Sequence, residues 1–120
     1  MCGILGIISK DKKVCQGFKK KLPLRSLIHR GPDFQDSVSR ENFYFGHTRL
    51  SIIGLDERSA KQPIFKKNKI LIFNGEIYNF KSLSEELNAN GHYDSGKSDT
   101  ETLFNFIYVY GLKKTITKID

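Results

Sequence analysis

A chain of 120 residues, 38% hydrophobic and 12% aromatic, has the length of one modest domain and enough apolar material for a core, with no low-complexity tail. No stretch approaches the ~20 apolar residues of a membrane span, and the basic group from Lys10 to Lys13 interrupts the start too early for a secretory signal core, so a soluble cytoplasmic protein is expected. The formal charge of +7 is scattered over short groups (Lys10 to Lys13, Lys19 to Lys21, Lys66 to Lys69, Lys113 and Lys114), which predicts a solvated surface and no nucleic-acid partner, while two cysteines without Cys-x-x-Cys or His/Cys clustering predict neither disulfide nor metal site.

In chain order, residues 3 to 9 read as a buried strand that begins directly behind Cys2. Residues 14 to 28 read as a helix through Val14, Phe18, Leu22 and Leu27, broken or kinked at Pro23. The turn-rich run from Arg30 to Asn42 reads as loop. Residues 43 to 53 are β-prone, and Gly46 marks either a bulge or a close backbone approach. After a loop from Gly54 to Gln62, closed by Pro63, a short apolar strand over 69 to 73 runs into Asn74-Gly75, a dipeptide of strong turn character.

Phe80, Leu83 and Leu87 recur at helical spacing, with Asn79 placed to serve as N-cap of a helix over about 80 to 89. Ser98-Asp99-Thr100-Glu101 has the capping-box pattern. It opens a second helix that uses Leu103, Ile107 and Tyr110 and ends at Gly111, and Leu112 to Asp120 suits a further short helix. Cys15 reads as a packing residue.

The chemistry-bearing residues occur in short segments. Removal of Met1 would leave the Cys2 thiol and a free α-amine on one residue, a nucleophile with its own base. Four more segments follow: His29-Arg30-Gly31-Pro32-Asp33, Gly46-His47-Thr48-Arg49-Leu50-Ser51-Ile52, Asn74-Gly75-Glu76-Ile77-Tyr78-Asn79, and Ser98-Asp99-Thr100-Glu101. Taken singly, Asn74-Gly75 is a plain turn, Arg49 a surface ion-pair partner and Asp99 a helix-start acid. His29, His47 and His92 show no spacing that selects a partner for Cys2, and Arg30 to Asp33 offers no catalytic role derivable from its residue types and equally suits a structural turn in which Arg30 pairs with a carboxylate.

In order and spacing the five segments resemble the class II glutamine amidotransferases, and more narrowly the N-terminal glutaminase domain of the glutamine-hydrolysing asparagine synthetases. The resemblance covers nearly the whole chain. It implies an α+β fold, the αββα sandwich of the N-terminal nucleophile hydrolases, here incomplete, with residues 1–120 forming the N-terminal part of a glutaminase domain and the synthetase domain absent. Catalysis is then assigned to Cys2, with Asn74 and Gly75 donating to the oxyanion. Glutamine is held by Arg49 at its α-carboxylate and by Asp99 and Glu76 at its α-ammonium, with Leu50, Ser51, Ile52 and Ile53 as backbone or wall.

The same resemblance implies no cofactor in this chain, ATP and Mg²⁺ being needed only by the synthetase domain. The expected partners are glutamine, a synthetase domain or subunit that completes the enzyme, and a second copy in a homo-oligomer. Two other readings stay open: a class II amidotransferase that serves another ammonia acceptor, and an inactive remnant that binds glutamine or a partner.

Overall fold

The computed structural model describes residues 2–20, 23–50 and 61–120. These fall into two compact units. One is built on residues up to 50 with 61–65 and 70–74; the other is built on 66–69 and 75–120.

The first unit centres on a three-stranded antiparallel sheet of β1 (Gly3–Ile8), β2 (Phe34–Arg40) and β3 (Phe43–Arg49), in the order β1-β3-β2. Its register is unbroken, running from Gly3↔Thr48 to Ile8↔Phe43 on one side of β3 and from Phe34↔Arg49 to Arg40↔Phe43 on the other. Because side chains alternate along a strand, Gly3, Leu5, Ile7, Tyr44, Gly46 and Thr48 share one face. Helix α1 (Lys12–Lys20) and a 3-10 turn (Pro23–Leu27) cover that face. Phe18 lies 6.5 Å, centroid to centroid, from Tyr44, and a Cβ on Gly46 would stand 2.6 Å from Leu24 Cδ2.

Gly46 is therefore a site of close approach, and the continuous register shows no bulge there. Cys15 is buried, as are Leu24 and Tyr44, which agrees with its reading as a packing residue. The expected helix over 14 to 28 is two pieces: α1 starts earlier because the Asp11 carboxylate accepts from the Lys13 backbone N–H at 2.9 Å, and Pro23 opens the separate 3-10 turn.

The loop expected from Arg30 to Asn42 is corrected by β2. Only Phe34 and Val38 are apolar in that strand, and both stand on the same face, so the period-2 signal is too thin to read. An edge strand tolerates this polarity, which discourages pairing with another chain. A hairpin of β4 (Ile64–Lys66) and β5 (Lys69–Leu71) follows, turning through Lys67 at φ 54°. β5 is two residues shorter than expected.

The second unit packs α2 (Phe80–Ala89), α3 (Asp99–Tyr110) and α4 (Leu112–Ile116). Leu83, Leu87, Leu103, Phe104 and Phe106 form its apolar interior, Leu87 and Phe106 being fully buried. Asn79 stands at the N-cap position of α2 but makes no side-chain cap bond. Its amide instead donates to the Lys118 carbonyl at 2.7 Å and its side-chain oxygen accepts from the Asp120 N–H at 3.1 Å, tying the C-terminal residues to the start of α2. Mixed helix and antiparallel sheet bear out the α+β class.

Candidate active site

Continuing the β1–β3 register by one pair sets Cys2 opposite Arg49, and cross-strand partners in an antiparallel pair share a face. Cys2, Ile4, His47 and Arg49 therefore project from the side of the sheet away from α1. The half-buried Cys2 has its Sγ 4.0 Å from the carbonyl oxygen of Leu50, the first residue beyond β3. Arg49 is only 8% exposed, so it is not a surface side chain.

What holds the end of β3 is the segment that residue types left without a role. Ile28 to Arg30 form a turn, Pro32 bridges to Arg49, and the Asp33 N–H donates to the Arg49 carbonyl at 3.1 Å. On the opposite face, Thr48 Oγ1 donates to the Leu27 carbonyl at 3.1 Å. Arg30 to Asp33 is thus a structural brace for the arginine strand.

His47 is the residue whose importance spacing could not reveal. It is 1% exposed, shares its face with Cys2 and Arg49, and neither ring nitrogen finds a hydrogen-bond partner among the described residues. Burial, reinforced by the charge of Arg49, pushes its pKa from 6.5 down to about 4. The imidazole is therefore neutral at pH 7.

In the same unit, the buried Gln62 accepts from the Phe73 backbone N–H at 2.5 Å, fixing the residue before Asn74. Asn74, Gly75 and Glu76 are all exposed. Of the predicted wall, Leu50 is described and partly exposed; Ser51, Ile52 and Ile53 lie outside the described residues.

In the second unit Asp99 belongs to the first turn of α3. Its Oδ2 accepts from the Ile77 backbone N–H at 3.2 Å, and its Oδ1 from the Thr100 N–H at 2.6 Å. Asp99 so anchors the backbone two residues beyond Gly75, while the capping itself is done by Ser98, whose Oγ accepts from the Glu101 N–H at 3.4 Å. Only half of the expected capping box forms: the Glu101 carboxylate takes the Ser95 hydroxyl at 2.7 Å instead of the Ser98 amide.

The preceding loop is pinned by Asp94, which is 4% exposed. Its carboxylate accepts from Thr102 Oγ1 and Asn105 Nδ2, each at 2.7 Å, and from the Gly96 N–H at 3.1 Å. Burial alone would raise its pKa, but hydrogen bonds from Asn105, Thr102, Ser84 and Gly96 outweigh it and hold the carboxyl below its usual range. A shallow depression of about 310 Å³ lined by Leu24, Arg25, Gln35, Asp36, Ser37 and Tyr44 contains none of the predicted site residues and sits against the 3-10 turn, so we do not identify it with the chemistry.

Comparison with known families decides the matter: the model of the glutamine amidotransferase domain matches residues 1–120. The chain is a glutamine amidotransferase domain. Among curated relatives it is similar to the glutamine-hydrolysing asparagine synthetase 1 of Bacillus subtilis, 38% identical over 86% of this chain and 17% of that protein. It is also similar to the probable asparagine synthetase of Dictyostelium discoideum, 38% identical over 88% of the chain and 19% of the relative, and to asparagine synthetase B of Escherichia coli, 35% identical over 86% and 19%.

The amidotransferase domain thus spans less than a fifth of the length of these relatives. Among its described residues no helix is long and apolar enough to cross a membrane, and no cluster of three or more His, Cys, Asp or Glu side chains could hold a metal ion.

Proposed function

We propose that this domain hydrolyses the side-chain amide of glutamine at Cys2, and that the ammonia serves ATP-dependent synthesis of asparagine from aspartate in a synthetase domain or subunit. With Met1 removed, the α-amine of Cys2 accepts the thiol proton; an ordinary thiol and α-amine have pKa values of about 8.5 and 7.7–8.0, close enough for exchange near neutrality. The thiolate attacks the amide carbon, and the tetrahedral oxyanion is met by the Asn74 side-chain amide and the Gly75 N–H. Collapse expels ammonia, which leaves with the proton returned by the α-ammonium. The γ-glutamyl thioester is then hydrolysed by water through a second oxyanion, releasing glutamate and the free thiol.

Substrate is held at its charged ends. The planar guanidinium of Arg49 takes the α-carboxylate, and Asp99 with Glu76 takes the α-ammonium, with Leu50, Ser51, Ile52 and Ile53 as wall. ATP and Mg²⁺ would serve the synthetase portion, and the hydrolysis as written uses only groups of this chain. The finer architecture that fits is the αββα sandwich of the N-terminal nucleophile hydrolases, to which residues 1–120 contribute the N-terminal part, in a cytoplasmic enzyme that associates as a homo-oligomer.

The observation that carries this reading is the Cys2 sulfur 4.0 Å from the carbonyl oxygen of Leu50, the residue that follows the buried Arg49. The test is release of glutamate and ammonia from glutamine by the purified protein beside its Cys2→Ala variant, with the mature N-terminus read by mass spectrometry. Activity confined to the wild type with Met1 absent is the expected result. Turnover that survives in Cys2→Ala, or with Met1 retained, would overturn it.

A further inference from the structure

The glycine of the brace under β3 has no room for a side chain. A Cβ built on Gly31 would fall within 2.5 Å of both the Thr48 carbonyl oxygen and the Arg49 nitrogen, and still nearer the Thr48 carbonyl carbon. All three are backbone atoms, which cannot rotate aside as a side chain can. Gly3 is similarly placed: its Cβ would stand 2.7 Å from Thr48 Oγ1, 3.2 Å from Leu27 Cβ and 3.3 Å from Arg30 Cβ.

Three segments therefore meet at van der Waals limit around Thr48: the start of β1, which carries Cys2; the end of β3, which carries Arg49 and Leu50; and the turn from Leu27 to Gly31. Gly31 is buried, and its N–H donates to the Ile28 carbonyl at 3.2 Å, so the turn is closed on itself as it presses on the strand. By contrast, a Cβ on Gly17 in α1 would meet nothing within 4 Å.

We propose that Gly31 is a positioning residue for substrate recognition, its bare Cα setting the distance between the Thr48–Arg49 peptide and the nucleophile strand so that Arg49 reads the α-carboxylate of a glutamine aligned with Cys2. This rests on the glutamine reading above. A methyl group at Gly31 displaces the Thr48–Arg49 backbone and with it the Arg49 side chain, which a small electrophile at Cys2 does not use. Misplacement on the scale of 1 Å costs on the order of 10²-fold in aligned reactions.

The experiment compares the rate of Cys2 modification by two electrophiles in the intact protein, followed by mass spectrometry. One is a diazo-ketone analogue of glutamine that keeps the α-ammonium and α-carboxylate; the other is iodoacetamide, which has neither. Gly31→Ala is expected to slow the glutamine analogue at least about tenfold while iodoacetamide stays within about twofold of wild type. Gly17→Ala should change neither. Thr48→Val, which removes the bond to the Leu27 carbonyl without adding volume, carries the test if Gly31→Ala does not fold, with an expected selective loss of about threefold.

Equal slowing of both reagents would mean general loosening and overturn the inference, as would an unchanged preference in either variant. A wild-type protein that reacts no faster with the analogue than Cys2 exposure dictates would overturn the glutamine reading, and this inference with it.

Discussion

His47 makes the stability of the sheet depend on pH in a window where few side chains titrate. Its pKa falls from 6.5 in the unfolded chain to about 4 in the fold, so between those values the unfolded protein binds a proton that the folded one refuses. Stability from this group is therefore complete above pH 6.5 and is lost as pH falls toward 4. Linkage gives a loss of about 2 kcal/mol between pH 7 and pH 5, and about 3 kcal/mol in all. The assay is urea unfolding of the wild type and His47→Gln at pH 7, 6 and 5, comparing the two slopes so that other titrating groups cancel. The wild type should lose about 2 kcal/mol more than the variant over that interval. The ring resonances of His47 should also show a midpoint near 4. Parallel stability curves, or a His47 ring that titrates near 6.5, would refute the reasoning.

Asp94→Asn should destabilise the helical unit by about 2–3 kcal/mol, because an amide turned toward Thr102, Asn105 and the Gly96 N–H offers a donor where an acceptor is needed; the urea midpoint reads this. Its carboxyl lies below the usual range, so the stability that it adds in the wild type is present above the unfolded value of about 4 and disappears only as pH falls further. Gln62→Ala should cost about 1–3 kcal/mol through the orphaned Phe73 N–H and lower kcat for glutamine hydrolysis with little change in KM. Arg49→Lys should do the reverse, raising KM, since an ammonium cannot match both carboxylate oxygens. Asn79→Ala should leave the helicity of α2 intact by circular dichroism while amide exchange at Lys118 to Asp120 accelerates.

Elements with strong periodicity were readable from sequence: α2 and α3 fall where Phe80, Leu83, Leu87 and Leu103 put them, and Gly111 ends α3. β2 was hidden because an edge strand with two apolar residues carries no hydrophobic rhythm, only pairing to β3. Asn79 shows a different failure. Its residue type suits a cap, but a competing backbone partner from the C-terminal residues takes both ends of the amide.

At the site, motif order singled out Cys2 and Arg49, and the register then set them face to face. Nothing local in Gly46-His47-Thr48 tells a buried neutral imidazole from an exposed one, since burial comes from what covers the sheet. Likewise Gly31 reads as a turn residue until the peptide pressed against it is seen. Asp99, which the resemblance assigns to an ammonium group, also accepts from the Ile77 N–H, a backbone-anchoring task that sequence could not suggest.

The alternation of β1 makes the placement of the reactive sulfur a question of parity. Six consecutive pairs lock this strand to β3, so deletion of one residue between Cys2 and Ile8 would swing the thiol through to the helix-covered side, away from the face that carries Arg49. Removing two would restore the side but shift the sulfur about 6–7 Å along its neighbour. Trimming at the terminus leaves that register untouched: a chain that keeps Met1 holds the thiol in place but ties up its α-amine in a peptide bond, and one cut after Cys2 has no thiol at this position.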